Sequence, residues 1–250
     1  MFAVGEPTCD RIGEIGLVDD VVSVEHRACL RHTSLDVETW VLTPDSLAVR
    51  SARNTETQMR KLKIMEHISL DGVIQSSGED GFPYSDWTAP YRTPSGRDAV
   101  LAAHGASFNL LLGRRTYDLW SGFWPKAPSS PMADGLNAAT KYIATHRRES
   151  LEWGPFEGLG PDIVEGIRRI KSQDGPDLIL SVSSTLTSTL LEHGLADEAV
   201  LIVSPVLLGT GKRFFAEGTP PRSFELVSTK ALPSGIIFST YKVAGPLKTA

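Results

Sequence analysis

Three short segments of this 250-residue chain place basic or hydroxyl side chains directly after an apolar run. Leu112-Gly113-Arg114-Arg115-Thr116 passes from strand-like sequence through glycine into helix-like sequence. Backbone N–H groups at a helix N-terminus attract phosphate, and arginine adds charge-assisted contacts. The same residues also suit a strand-ending glycine followed by two solvated arginines. Thr145-His146-Arg147-Arg148 repeats the arrangement after a second apolar run. Two basic clusters at neighbouring strand ends suit a ligand with a separate phosphate, as in NADPH rather than NADH. Taken alone, Arg147 and Arg148 read more simply as a solvated loop. The third segment, Ser181-Val182-Ser183-Ser184-Thr185-Leu186, enters a helix with hydroxyls at the cap position. As a phosphate cradle it lacks the glycine that close backbone approach favours.

Other chemistries find no support. The chain has no Gly-x-Ser-x-Gly elbow, no phosphate-binding Walker loop and no His-Glu-x-x-His. Its six histidines show no metal-ligand spacing, and two cysteines, Cys9 and Cys29, are too few for a Cys-only zinc site. No metal is expected.

The three segments must be held by alternating strands and helices. Lys61 to Ile68 reads as a strand ended by the turn Ser69-Leu70-Asp71-Gly72. A loop-rich stretch from Gly78 to Pro94 carries Phe82, Tyr84, Trp87 and Tyr91. Helices are predicted over Ser95–Ser107, Arg114–Trp124, Ile163–Lys171 and Ser184–His193, the last closed by Gly194. Strands are predicted over Asn109–Leu112, Lys141–Thr145, Leu178–Leu180 and Ala199–Val203. A terminal hairpin joins Ser223–Lys230 to Ile236–Val243 across Leu232-Pro233-Ser234-Gly235. The order predicts an α/β fold with a mostly parallel sheet, an antiparallel edge and helices on both faces. In such sheets ligands sit beyond the carboxyl ends of the strands, where all three segments fall.

Composition, with 41% hydrophobic and 22% charged residues, suits a globular domain. A net charge of −5 without blocks of like charge argues against nucleic-acid and membrane-surface partners. With no long apolar stretch and no basic start before an apolar run, the expected location is the cytoplasm. Charge is uneven along the chain. Residues 1–58 hold ten acidic residues, five arginines and no lysine, whereas 59–250 balance. A boundary therefore falls at the polar run Ser51–Gln58, separating 1–58 from a domain over 59–250. The first part is either a unit of its own or an N-terminal extension with little structure.

Taken in order, several of these segments resemble the dihydrofolate reductase-like family. They are Ile68-Ser69-Leu70-Asp71-Gly72, Gly113-Arg114-Arg115-Thr116, Leu190-Leu191-Glu192-His193-Gly194-Leu195-Ala196-Asp197-Glu198 and Ser204-Pro205-Val206-Leu207-Leu208-Gly209-Thr210-Gly211-Lys212-Arg213-Phe214-Phe215. Over about 59–246 the chain most resembles the C-terminal reductase domain of the riboflavin-biosynthesis deaminase-reductases. The resemblance implies a three-layer α/β/α fold, NADPH as cofactor, a homodimer, and a small pterin-like or aminopyrimidine-like substrate. It implies that Gly113, Arg114, Arg115 and Thr116 meet the cofactor's phosphates, with Thr145 and His146 near its adenosine end. Val182, Ser183, Ser184, Thr185 and Leu186 would lie along the pyrophosphate and nicotinamide. Asp71 and Gly72 would border the substrate, with Trp87 on the loop above. Asp71 and Asp86 are the candidate carboxylates for proton delivery. Asp71 before Gly72 also fits a purely turn-forming role.

Two departures stand out. The riboflavin reductases carry a longer Asp-Asp-Pro-containing segment where this chain has Tyr117-Asp118-Leu119-Trp120-Ser121-Gly122-Phe123-Trp124-Pro125, which points to a stand-alone branch and weighs against the riboflavin substrate. Val182 stands where the family has glycine. A β-branched residue resists positive φ, so either the turn is rearranged or Val182 takes an ordinary β conformation and pushes the cofactor outward. Both would weaken binding. The competing reading is a nucleotide-binding protein that keeps the fold without the activity.

Overall fold

The computed structural model describes residues 59–147 and 150–249. The expectations for 1–58 and for Arg148 lie outside these residues. Eight strands form one sheet: β1 (Leu62–Ile68), β2 (Phe108–Gly113), β3 (Lys141–Ala144), β4 (Phe156–Gly158), β5 (Asp177–Leu180), β6 (Glu198–Val203), β7 (Arg222–Ala231) and β8 (Ile237–Pro246). Their order across the sheet is β4-β3-β2-β5-β1-β6-β8-β7. The first six are mutually parallel, and β8 and β7 close one edge antiparallel. Apolar runs explain the parallel centre. Leu110, Leu111 and Leu112 are fully buried, as are Leu178, Ile179 and Leu180, so both faces of β2 and β5 are covered.

Five helices provide that cover: α1 (Pro94–His104), α2 (Arg114–Phe123), α3 (Pro131–Ala138), α4 (Ile163–Lys171) and α5 (Ser184–Glu192). On one face Ile167 and Ile170 of α4 and Leu186, Leu190 and Leu191 of α5 pack on Leu62, Ile64, Leu178 and Leu180. On the other, Tyr117 of α2, Leu136 of α3, and Val100 and Ala103 of α1 pack on Met65, Leu110, Leu112 and Ile179. This is the three-layer α/β/α arrangement expected. The segment that replaces the Asp-Asp-Pro stretch is helical as far as Phe123, and its Tyr117 is a core residue.

Most boundaries match the sequence because their caps are local. Thr93, Asp162 and Ser183 each accept a hydrogen bond from the first turn of the helix they open. Gly194 (φ 62°) closes α5 as expected. One glycine is needed for packing: a Cβ on Gly166 in α4 would lie 2.1 Å from the Leu159 carbonyl oxygen. Two elements carry no strong sequence signal, α3 with its internal Gly135 and the three-residue edge strand β4.

Connectivity creates the site. The chain moves outward from β1 through β2 and β3 to β4, then returns to insert β5 between β2 and β1. The turns that follow β1, β2, β3 and β5 therefore share one end of the sheet, at the point where the direction of winding reverses.

Candidate functional site

At the junction of β2 and β5, two of the sequence segments come together. Gly113 is the N-cap of α2, and a Cβ built on it would lie 3.3 Å from Ser183 Oγ and 3.7 Å from a methyl of Leu186. The hydroxyl of Thr116, a buried residue, donates to the carbonyl of Val182 at 2.8 Å. Thr116 thus ties one turn to the other, and its side chain is turned inward rather than toward a phosphate. No side chain caps α2 and no acidic residue occupies its first turn. That leaves a helix N-terminus of the kind that attracts an anion.

The two arginines have partners within the chain. Arg114 donates to both oxygens of Asp118 (2.8 and 3.0 Å), to the Arg147 carbonyl (2.6 Å) and to Ser150 Oγ (2.7 Å). It therefore joins the turn after β2 to the loop after β3. Arg115 pairs with Glu79 and, at 2.9 Å, with Asp80; Lys212 reaches the same Asp80 carboxylate at 2.9 Å. The Arg115 pairs are exposed and screened by solvent, so a stronger anion can replace them, whereas Arg114 is largely covered and tied by four hydrogen bonds. Thr145 is buried and its Oγ1 accepts the Arg147 amide at 3.0 Å, shaping the loop, while His146 is exposed.

The turn after β5 overturns both expectations for Val182. It is neither rearranged nor an ordinary β residue: Val182 has φ 54°, the left-handed conformation a glycine would take. For a β-branched residue that backbone costs about 1–3 kcal/mol and persists only where the surroundings enforce it. They do so from both sides. Thr116 holds the carbonyl, and the Val182 N–H donates to the carboxyl of Glu66 on β1. Ser181 Oγ adds a bond to the Met65 carbonyl at 3.2 Å, and Ser183 caps α5.

Sequence reasoning passed over Glu66. It is 4% exposed, and burial pushes its pKa up to about 8, against the opposing pull of the Val182 and Ser183 amides. A signal was present. Leu62, Ile64 and Ile68 share one register of β1 and pack on the α4–α5 face, and Glu66 occupies the position between Ile64 and Ile68. An acidic residue in an inward register needs a specific partner, and here the partner is the turn after β5.

A second group surrounds the end of β1. The Asp71 carboxylate accepts the Ser69 hydroxyl at 2.6 Å and the amides of Leu208 (3.2 Å) and Gly209 (2.9 Å). The Ser69 bond first, and then those amides, hold its pKa down to about 2. Such a group carries no proton at neutral pH, so the geometry supports turn formation rather than proton delivery. Gly72 (φ 79°) closes the turn. Trp87 is buried against Val73 and Phe82, its indole N–H donating to the Gln75 carbonyl at 2.7 Å. It anchors the loop from below rather than presenting a surface to a ligand. Asp86 is exposed and paired with Arg92, whose charge also acts on His67. On the opposite face of β1 from Glu66, His67 is exposed although its strand lies inside the sheet. Loss of hydration among the surrounding atoms and, after it, the Arg92 charge nonetheless push its pKa down to about 4.

Two surface cavities lie beside these turns. One of about 730 Å³ is lined by Tyr117, Asp118, Asn137, Ser150 and Trp153, reaching the Asp118 and Ser150 that hold Arg114. Another of about 430 Å³ opens where β4 leads into α4, beside Gly158, Gly160, Asp162 and Arg169. Among the described residues no cluster of three His, Cys, Asp or Glu could hold a metal, and no helix is long and apolar enough to cross a membrane.

The family model for the RibD C-terminal domain matches residues 60–238. Two proteins of Bacillus subtilis (strain 168), both described as uncharacterized, are similar in sequence. YyaP is 26% identical over 136 residues, covering 53% of this chain and 72% of its own length. YwjB is 25% identical over 171 residues, covering 68% of this chain and 91% of its own. Among solved structures, a putative riboflavin biosynthesis protein from Shewanella sp. PV-4 superposes with a TM-score of 0.55 at 20% identity. The match covers 73% of this chain and 98% of that one. The diaminohydroxyphosphoribosylaminopyrimidine deaminase/5-amino-6-(5-phosphoribosylamino)uracil reductase of Thermotoga maritima superposes with a TM-score of 0.54 at 16% identity. There the match covers 75% of this chain and 58% of the Thermotoga chain. At these identities the two structures speak for the shared fold. The family match runs from just before β1 to the start of β8, including every turn described above, and this chain belongs to the RibD C-terminal domain family.

Proposed function

We propose that this chain is an NADPH-dependent reductase of a small pterin-like or aminopyrimidine-like heterocycle, working in the cytoplasm as a homodimer. The observation that carries the reading is the junction of the β2 and β5 turns. An uncapped α2 N-terminus, a glycine whose Cβ would crowd Ser183 Oγ at 3.3 Å, and two arginines, of which Arg115 sits in exposed ion pairs, meet there. That combination fits a dinucleotide pyrophosphate. The Thermotoga neighbour, described as a 5-amino-6-(5-phosphoribosylamino)uracil reductase, supports the aminopyrimidine class.

NADPH supplies the hydride. The chain's own part is to hold the cofactor and close its reacting end against water. In this reading the first-turn amides of α2, with Arg114 and Arg115, hold phosphate, and the loop bearing Thr145 and His146 borders the adenosine end. The turn from Val182 to Leu186 lines the pyrophosphate, and the surface at the end of β1, beside Asp71, Gly72 and the accessible His67, receives the substrate. Asp71 is ionised and committed to the 208–209 turn, which leaves it no proton to deliver.

The non-catalytic alternative rests on Val182 and on the replaced Asp-Asp-Pro segment. Since the valine keeps the glycine-like backbone, the first of these no longer favours it. Titration with NADPH, followed by its fluorescence and repeated with NADH, tests the proposal. Saturable binding that is tighter for NADPH is expected, and no binding of either to folded protein removes the claim. Turnover of dihydrofolate or of an aminopyrimidine ribose precursor then separates the substrate classes.

A further inference from the structure

The valine at position 182 raises a physical question: what keeps a β-branched residue in a left-handed backbone, in a turn that has only Ser183 as its own cap? Two residues from other elements grip its peptide groups. Glu66, from β1, accepts the N–H, and Thr116, from α2, donates to the carbonyl at 2.8 Å. Both are nearly inaccessible, at 4% and 3% exposure, so neither bond exchanges readily with water. Among the described residues the Glu66 carboxyl pairs with no cation; its partners are the amides of this turn.

We propose that Glu66 and Thr116 are positioning residues that clamp the peptide groups around Val182, holding the β5–α5 turn in the conformation that dinucleotide binding requires. The clamp stands in for the glycine: a glycine reaches φ near 54° freely, whereas a valine reaches it only while gripped. The proposal rests on the reading of this turn as part of a dinucleotide site. Its mechanical claim is independent of any ligand.

The test is a double-mutant cycle between Glu66→Leu and Val182→Gly, read by NADPH titration and separately by urea unfolding. If the clamp acts through Val182, Glu66→Leu weakens NADPH binding by about tenfold or more in the parent chain but by less than about threefold in the Val182→Gly background. Glu66→Gln, whose amide oxygen still accepts the Val182 N–H, stays within about threefold of the parent in binding. A residue needed only for general stability would not distinguish the two backgrounds. Equal losses in both backgrounds, or a Glu66→Gln variant as impaired as Glu66→Leu, overturn the proposal. If no variant binds NADPH, the cofactor reading falls and the unfolding cycle decides the clamp. A smaller midpoint loss in the Val182→Gly background supports it, and an equal loss refutes it. Should Glu66→Leu not fold, Thr116→Val removes the other arm and replaces it in both cycles, with the same criteria.

Discussion

Glu66 and Asp71 flank the carboxyl end of β1, and both accept backbone amides from loops far away in sequence. Their proton affinities nonetheless diverge, to about 8 for Glu66 and about 2 for Asp71. Glu66 points under the β5–α5 turn, where loss of water outweighs the amides that favour its charge. Asp71 gains a hydroxyl and two amides while staying near solvent, with Arg213 at 3.8 Å, so its charge is stabilised. The contrast teaches that a carboxyl's role at a strand end follows from its hydration and donor count. Distance from the reacting site does not decide it.

The sharpest way to break the comparison is to remove the acceptor at Asp71 and only the ionisable group at Glu66. Asp71→Ala leaves the Leu208 and Gly209 amides without their carboxylate and is expected to lower stability by about 2–4 kcal/mol in urea unfolding. Glu66→Gln preserves an acceptor for a carboxyl that is already mostly neutral at pH 7, so it should cost no more than about 1 kcal/mol. If Glu66→Gln proved as costly as Asp71→Ala, Glu66 would be ionised and the contrast lost.

Next in size is the effect of Val182→Gly. The strain at φ 54° is present with or without cofactor, so its relief should appear as folding stability. Against it stands the larger unfolded-state entropy of glycine, roughly 0.5–1 kcal/mol. A net gain of about 1 kcal/mol is expected from thermal or urea unfolding, and a net loss would show that the valine side chain's packing outweighs its backbone strain.

The two carboxyls also give opposite pH dependences. The folded pKa of Glu66 is raised from 4.5 to about 8, so the folded state holds its proton more tightly than the unfolded chain. Its contribution is full below pH 4.5 and is lost as pH rises through about 8. Asp71 is lowered from 3.8 to about 2, so its contribution is full above pH 3.8 and is lost as pH falls through about 2. Unfolding curves of the parent chain minus those of Glu66→Gln should therefore decline toward alkaline pH. Those of the parent minus Asp71→Asn should decline toward acid. Matching signs would contradict the assignment. The smallest effect is expected at Asp86, whose carboxylate is exposed and paired with exposed Arg92. Asp86→Ala should change stability by no more than about 0.5 kcal/mol and leave NADPH binding unaltered.

Periodicity and caps made the sheet and most helices legible, because those signals act over one or two turns of chain. Ile163, Ile167 and Ile170 mark the buried stripe of α4. The Gly113–Thr116 and Val182–Leu186 segments were legible as strand ends meeting helix starts, and the fold brings Gly113 and Thr116 against Ser183, Leu186 and Val182. What each side chain does there was not legible. Thr116 turns inward to Val182, Trp87 anchors a loop, and Asp71 organises residues 208 and 209, all through partners more than ten residues away.

By itself, then, the sequence determined the order and type of most elements, the end of the sheet where ligands belong, and the oddity of a valine at a glycine position. These depend on local propensity and on which faces are apolar. Only the tertiary structure decided that Val182 keeps a glycine-like backbone and that Glu66 is the buried group beneath it. Burial, and a hydrogen bond between residues 116 positions apart, exist only once β1 and β5 lie side by side in the sheet.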